Sequence, residues 1–437
     1  MKKVLYIAYY WPPCGGIGVV RNLKFVKYFR NHGWEPVIYA PENASYPIID
    51  ASTEKDLPKG VTILKTPIFE PYGLFNMAKG KKPTEQVKDV FLVKEKKSSL
   101  IHDLGLWIRA NFFIPDARSF WINPSIKYLR TYLKQHPVDA IISYGPPHSM
   151  HIIAKQLHKE FGTPWISDWQ DPWTEIDYFS KFKMTPGARN KHIRLEKEVI
   201  TQANALVMVS KNWCADLEKL SGRSVDYIPF GYDESDFATV THTRNEYFTI
   251  SHFGTFGTDR NPLNLWKALQ ELKTEFPELE KQLRIHLAGQ VDASVFQSIE
   301  QAGLKQQLKY DRQINKNELF GYLVNSNVQL VLINTPEEGI KYNNKGRVPA
   351  KVFECIGSRQ PVLVIGPKDG DVANIVAETR TGETCTYEDL SSIKQTVRLW
   401  YQNWIKNIPS TTPVNIEQFS FNNLSKQMAG VLNRIST

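Results

Sequence analysis

Residues 346–366, GRVPAKVFECIGSRQPVLVIG, decide how this chain reads. Pro349 suits the first turn of a helix, where a missing N–H costs nothing, and Gly357 suits its end. On that helix Val352, Phe353 and Ile356 share one face. Lys351 and Glu354 lie three apart on another, so the polar pair is expected to face outward. Residues 361–365 form a continuous apolar run closed by Gly366-Pro367, the pattern of a strand covered on both faces in a parallel sheet. A helix start beside such a strand end is an anion site, because its free N–H groups and its dipole favour negative charge. Arg347 and Lys351 then suit phosphates, and Glu354 suits ribose hydroxyls. An exposed ion pair on a surface helix fits the same pattern.

Outward from this stretch, the same alternation of apolar runs and amphipathic helices fills most of the chain. An apolar run at 3–10 leads through WPPCGGIG (11–18) into a helix at 19–32. That loop is not GxGxxG, but Gly15, Gly16 and Gly18 allow a tight turn and close approach of the backbone to a ligand. Further strands are expected at 35–40, 61–65, 139–143, 165–167 and 205–210. Two of these end in polar tails, YGPPHSMH (144–151) and the DWQDPW of 168–173, at the strand ends where open α/β sheets bind ligands. His148, Asp168 and Asp171 are therefore candidates to meet at one site, with a helix cap and an Asp-Pro turn as the plainer readings. A second series opens with a strand at 248–252, the loop GTFGTDRNP (254–262), a helix at 263–276, a strand at 284–288 followed by Gly289, and a strand at 328–333. Helices at 370–379 and 419–435 complete it.

At 437 residues the chain is too long for one ordinary core, and it suits two domains. Its 42% apolar and 23% charged residues describe a globular protein, and no run is long enough to span a membrane. The four cysteines, at 14, 214, 355 and 385, show no zinc or disulfide spacing and fit a reducing cytoplasm. The formal charge of +9 fits phosphate-bearing substrates or an anionic membrane surface. No recognition helix or RNA-binding motif accompanies it, so nucleic acid is not expected. Regular alternation breaks down between 70 and 124. There a lysine-rich run at 79–97 precedes Leu104, Leu106, Trp107, Ile108, Phe112, Phe113 and Ile114. Cations beside rings suit the inner face of a membrane; a solvated loop and an ordinary core helix are the alternative.

The segment KVFECIGSRQPVLVIGP (351–367) resembles the donor-binding segment of family 4 retaining glycosyltransferases with the GT-B fold. Several other stretches resemble that family in order: the Gly15-Gly16 loop, PWISDWQDPW (164–173), YIPFGYD (227–233) and the loop carrying Arg260. The resemblance implies an α/β protein of two doubly wound Rossmann-like domains facing each other across a cleft. The domains are expected at 1–238, with an irregular insertion at 70–124, and at 245–415, with 416–437 as a helix returning to the first. It implies that Gly15 and Gly16 close over the donor diphosphate, and that Arg260 meets its β-phosphate. Glu354 would hold the ribose. Asp168 is assigned to orienting the acceptor hydroxyl, and no Asp-x-Asp metal clamp is recognised. The implied activity is transfer of a sugar, with retention and without a metal, from a nucleoside-diphosphate sugar to a glycan or lipid-linked acceptor, in cell-surface polysaccharide synthesis. Two departures stand out. Gly346 holds the place of a family Glu, and Gln170 stands where better-known members carry a His. A sugar-nucleotide epimerase of the same fold and a non-catalytic nucleotide- or glycan-binding adaptor remain open on these residues.

Overall fold

The computed structural model describes residues 1–70, 100–176, 179, 182–334 and 343–437. The chain forms two compact units, Met1–Pro229 with Phe421–Thr437, and Phe230–Ser420. The polar stretch 233–246 belongs to the second unit.

The first unit is built on a seven-stranded sheet in the order β3-β2-β1-β4-β5-β6-β7. Its strands are β1 (Lys2–Ile7), β2 (Trp34–Pro41), β3 (Thr62–Thr66), β4 (Ala140–Gly145), β5 (Trp165–Trp169), β6 (Ala205–Met208) and β7 (Asp226–Tyr227). Every pairing is parallel, with Val4 against both Pro36 of β2 and Ala140 of β4. Val4, Leu5, Tyr6 and Ile7 have no exposure, as a strand covered on both faces requires. One cover is the helix Ile17–Phe29, which packs against the closing helix Phe421–Ile435; Phe25 meets Phe421 edge-on with ring centroids 6.0 Å apart. The closing helix is amphipathic, with Leu424, Met428 and Leu432 buried along one stripe. Trp34 anchors it further by donating its indole N–H to Asn433 at 3.1 Å.

The expected irregularity at 70–124 holds helices where it is described, Leu100–Phe112 and Ser119–Gln135. The second runs through Pro124. The lysine-rich run at 79–97 lies outside the described residues, apart from the helix that follows it.

The second unit has a six-stranded parallel sheet in the order β10-β9-β8-β11-β12-β13. It comprises β8 (Phe248–Phe253), β9 (Leu283–Ala288), β10 (Leu308–Asp311), β11 (Val328–Leu332), β12 (Val362–Ile365) and β13 (Gly382–Cys385). Its core gathers Ile285, Leu330 and Leu363 from the strands with Trp266 and Leu269 from the helix Leu263–Glu275 and Trp400 from the helix Leu390–Lys406. The helix of the opening stretch is Lys351–Gly357, with Ala350 at its cap and Pro349 just outside. Gly357 is its last residue rather than the left-handed residue past its end; that position falls to Arg359, at φ 61°. Gly357 is needed for space instead, since a Cβ there would lie 2.7 Å from the ring of Tyr232.

In each sheet the strand order reverses once, between β1 and β4 and between β8 and β11. Such switch points, at the carboxyl ends of the strands, are where doubly wound sheets bind ligands.

Candidate active site

At the second unit's switch point, β8 ends in His252-Phe253 and turns at Gly254, whose φ of 130° is open to glycine alone. The next strand ends at a matching turn. A Cβ on Gly289 (φ 103°) would lie 2.6 Å from the Gly254 carbonyl, so both loops are backbone against backbone. The Lys351 ammonium lies close by, 3.8 Å from where a Gly254 Cβ would stand. Lys351 Nζ reaches His252 Nε2 at 3.1 Å, while His252 Nδ1 lies 2.9 Å from the Leu330 carbonyl on β11. A carbonyl only accepts, so Nδ1 carries the proton and Nε2 is the acceptor for the ammonium. The outward pose expected for Lys351 is thus corrected: the helix starts beside the strand ends, and its first side chain turns in over them.

Burial pushes the Lys351 ammonium down to about 8; the nearby Cys355 and Glu354 raise it and Arg260 lowers it further. Burial, then the Lys351 charge, hold His252 well below its ordinary range, so it is neutral. Burial raises the Cys355 thiol to about 12, so no thiolate is present. Arg260 ends the short turn Thr258–Arg260, where Asp259 accepts from its Nε at 3.3 Å. Asn261 fixes this loop by accepting from Trp266 Nε1 at 2.8 Å and donating to Ser298 at 2.9 Å. Glu354 is half-buried, three residues along the helix from Lys351. Arg347, also half-buried, follows the short turn Asn344–Gly346. The structure therefore brings Lys351, Arg260 and Glu354 within electrostatic reach of one another, with His252 as a member that sequence reasoning missed. Its signal was a histidine two residues before a glycine turn at a strand end.

One Asp-x-Asp triplet does occur, Asp369-Gly370-Asp371, although none was recognised as a clamp. Asp369 is exposed and paired with Lys345 at 2.5 Å, whereas Asp371 is buried and already partnered at the start of the helix Asp371–Thr379. The two carboxylates occupy different surroundings.

In the first unit the Gly15-Gly16 pair divides its work. Gly15 is buried and donates its N–H to the Ile48 carbonyl at 2.9 Å, and a Cβ there would strike Ile48 at 2.7 Å. Gly16 is exposed, at φ 84°, and caps the helix Ile17–Phe29. The open end of this loop is therefore Gly16, since the Gly15 amide is spent on the fold.

Asp168 is placed differently from expectation. Its carboxylate has no exposure and accepts two bonds from Arg21, at 3.0 Å from Nε and 2.9 Å from Nη2. Arg21 is equally buried and donates as well to the carbonyls of Ile228 and Pro229. This pair ties the helix Ile17–Phe29 to the end of β5 and to the segment after β7. The role of orienting an acceptor hydroxyl gives way to a structural one, because both oxygens are committed and neither meets solvent.

His148 lies at the cap of the helix Ser149–Phe161 but makes no capping bond; it is buried and stacked on Trp173, with ring centroids 4.4 Å apart and planes 2° apart. Burial first, then His151 and His192, hold it well below its ordinary range and therefore neutral. Its Nδ1, His151 Nε2, Trp169 Nε1 and Gln170 Nε2 are buried polar atoms without a partner among the described residues. Ser143 and Ser167 place hydroxyls 2.9 and 3.2 Å from His151 Nδ1, and the Ser143 oxygen is already taken by the Trp165 N–H. His151 Nδ1 thus faces two hydroxyls, while its Nε2 is left with none. Asp171 is half-buried beside it in sequence. The strand ends of β4 and β5 thus hold a group of buried polar atoms without partners among the described residues, Gln170 Nε2 among them.

No family model matches the sequence, and no curated protein matches it. Solved structures match over the whole chain. The sucrose-phosphate synthase of Thermosynechococcus elongatus is 13% identical, with 99% of each chain covered and a TM-score of 0.59. HepE of Anabaena, solved in complex with UDP-glucose, is 12% identical, covering 99% of this chain and 100% of its own, also at 0.59. WaaG, a glycosyltransferase involved in lipopolysaccharide biosynthesis, is 13% identical over 98% of this chain and 99% of its own, at 0.51. The chain has the two-domain, Rossmann-like fold of these enzymes.

Proposed function

We propose that this protein is a retaining glycosyltransferase that moves a sugar from a nucleoside-diphosphate sugar to a glycan or lipid-linked acceptor, in the synthesis of a cell-surface polysaccharide. The observation that carries the reading is the Lys351 ammonium held by His252 at the second sheet's switch point, beside Gly254 and within the field of Arg260. Departure of a nucleoside diphosphate builds negative charge on its phosphates, and preorganised cations in a partly desolvated site stabilise that charge most effectively. Two such cations serve this purpose without a metal. Arg347 adds a third cation beside the same helix, and Glu354 accepts from the ribose. Acceptor recognition falls to the first unit, at His148, Asp171 and Gln170, with Gly16 at the mouth of its loop. The fold shared with an enzyme solved with UDP-glucose supports this choice of donor class.

Incubating the protein with UDP-, GDP- and ADP-sugars in the absence of acceptor tests the reading. Slow release of free sugar from one of them is expected; an isomerised donor points instead to an epimerase. With the active donor, Arg260→Ala and Glu354→Ala are each expected to lose about 10- to 150-fold in transfer, the cost of roughly 1.5–3 kcal/mol for one charge-assisted contact, while remaining folded. Turnover near that of the parent in either variant removes the assigned role.

A lipid-linked acceptor places the protein at the cytoplasmic face of a membrane. Among the described residues no helix is long and apolar enough to cross one. The helix Leu100–Phe112 instead leaves Leu104, Trp107, Ile108 and Phe112 exposed along one side, the arrangement of an interfacial helix. Flotation with anionic liposomes is expected for the parent and not for a Trp107→Glu, Phe112→Glu variant; equal flotation removes the membrane contact.

A further inference from the structure

The strands of the second unit end at the glycine loops of the donor site and begin at the opposite end of the sheet, about 13–20 Å away for strands of four to six residues. Two cavities adjoin there, the larger reaching up to the middle of the sheet, where Lys309 and His286 pair in the same row as Ser251. The larger, about 570 Å³, is lined by Thr249, Arg284, His286, Lys309 and Tyr322. The smaller, about 280 Å³, is lined by Asn327, Arg359, Gln360 and Trp404. Thr243, Asn245 and Asn325 border both, and Asn325 holds this divide by accepting from the Thr243 N–H at 2.7 Å.

The lining is cationic. Arg244, Arg284, Lys309 and Arg359 contribute to the two cavities, against Glu318 among the described residues lining them, with Arg359 paired to Glu417 at 3.1 Å. The Arg284 guanidinium lies 4.2 Å from the Tyr247 ring centroid, and the Lys309 ammonium 4.9 Å from that of Tyr322. Aromatic faces hold cations in place without neutralising them. Asp311 stands 3.6 Å from Lys309, but Arg284 has no carboxylate partner among the described residues. At the other end Trp404 presents a buried indole N–H that meets no acceptor among the described residues. Arg359 keeps a positive φ of 61°, a conformation that favours glycine, while lining the same cavity.

We propose that this edge is a second binding site, for an anionic oligosaccharide, with a sugar ring on the Trp404 side and its acidic substituent at Arg284 and Lys309. Asn245, Asn327 and Gln360 offer the amide groups that bond sugar hydroxyls. The site lies across the sheet from Lys351 and His252 and does not depend on the donor assignment.

Calorimetry of the full chain at low salt tests it, using a sulfated tetrasaccharide of the heparin type, an uncharged maltotetraose and UDP. The sulfated sugar is expected to bind, UDP not to displace it, and maltotetraose to bind at least about tenfold more weakly. The pair Arg284→Glu with Lys309→Glu is expected to lose affinity by about tenfold or more. A control with the same charge change elsewhere, Lys191→Glu with Arg194→Glu on the first unit's helix Pro186–Gln202, is expected to retain it. If the double reversal fails to fold, Arg284→Gln carries the test, and parent-like affinity in it counts against the site. Equal loss in the control reduces the binding to net charge and overturns the proposal, as does displacement by UDP, equal affinity for the uncharged sugar, or no binding at all. Donor hydrolysis is expected unchanged in the Arg284 and Lys309 variants. A parent that hydrolyses no donor refutes the donor reading alone.

Discussion

Replacing Lys351 with Met is expected to lower sugar transfer by about 10²–10³-fold, the loss seen when one preorganised group facing a developing anion is removed. The helix Lys351–Gly357 supplies this ammonium, and His252 and Leu330 aim it. Its pH dependence is a second signature. With the ammonium at about 8, donor affinity is expected to be flat below pH 8 and to fall by up to about tenfold per pH unit above it, until the pKa of the donor-bound form is reached. The groups around it do not compete for this assignment. His252 is neutral and the Cys355 thiol is protonated up to about 12. The fold responds with the opposite sign. Below pH 8 the folded protein carries a desolvated ammonium and bears its full penalty. Between 8 and the ordinary 10.5 the unfolded chain binds more protons, so stability contributed by this group rises with pH. Measuring donor affinity and chemical unfolding across pH 7–10 checks both; a pH break that persists in Lys351→Met assigns it to another group.

Asp168→Ala is expected to be the most destabilising single change in the first unit. It leaves the Arg21 guanidinium buried without its carboxylate, which costs about 3–5 kcal/mol. For a unit of this size that lowers the melting temperature by roughly 10 °C. Turnover per folded molecule is expected to change far less than stability. Intact stability with lost turnover reverses the conclusion and restores Asp168 to the chemistry. Arg21→Met is expected to destabilise similarly, since it strands the carboxylate instead.

The alternation of apolar runs with amphipathic helices made the two doubly wound sheets legible, because strands covered on both faces are mostly apolar. The short edge strands β10 and β13 were not legible: LKYD and GETC bury little and alternate with polar residues, so nothing marks them as sheet. The helix Ser119–Gln135 was hidden by Pro124, whose missing N–H argues against helix locally but is outweighed by burial of Trp121, Ile126, Leu129 and Leu133. At the site, residue types pointed to Lys351 and Glu354, and the family resemblance added Arg260. Direction was not readable. Whether Lys351 looks out or in depends on an acceptor, His252, about a hundred residues away. Asp168 shows the converse error. A carboxylate at a strand end resembles a functional group until its partner is seen, and that partner, Arg21, sits on a helix that also buries Asn22 and Lys24, so nothing in the pattern singled it out.

The central claim is that the second unit grips the diphosphate of an activated sugar with Lys351 and Arg260. Its most direct test is calorimetric titration of the parent and Lys351→Met with UDP-, GDP- and ADP-sugars at pH 7. The account predicts that at least one nucleotide sugar binds the parent and that Lys351→Met weakens it by tenfold or more, about 1.4 kcal/mol. A parent that binds no nucleotide sugar at millimolar concentration, or a variant that binds one as tightly as the parent, contradicts it.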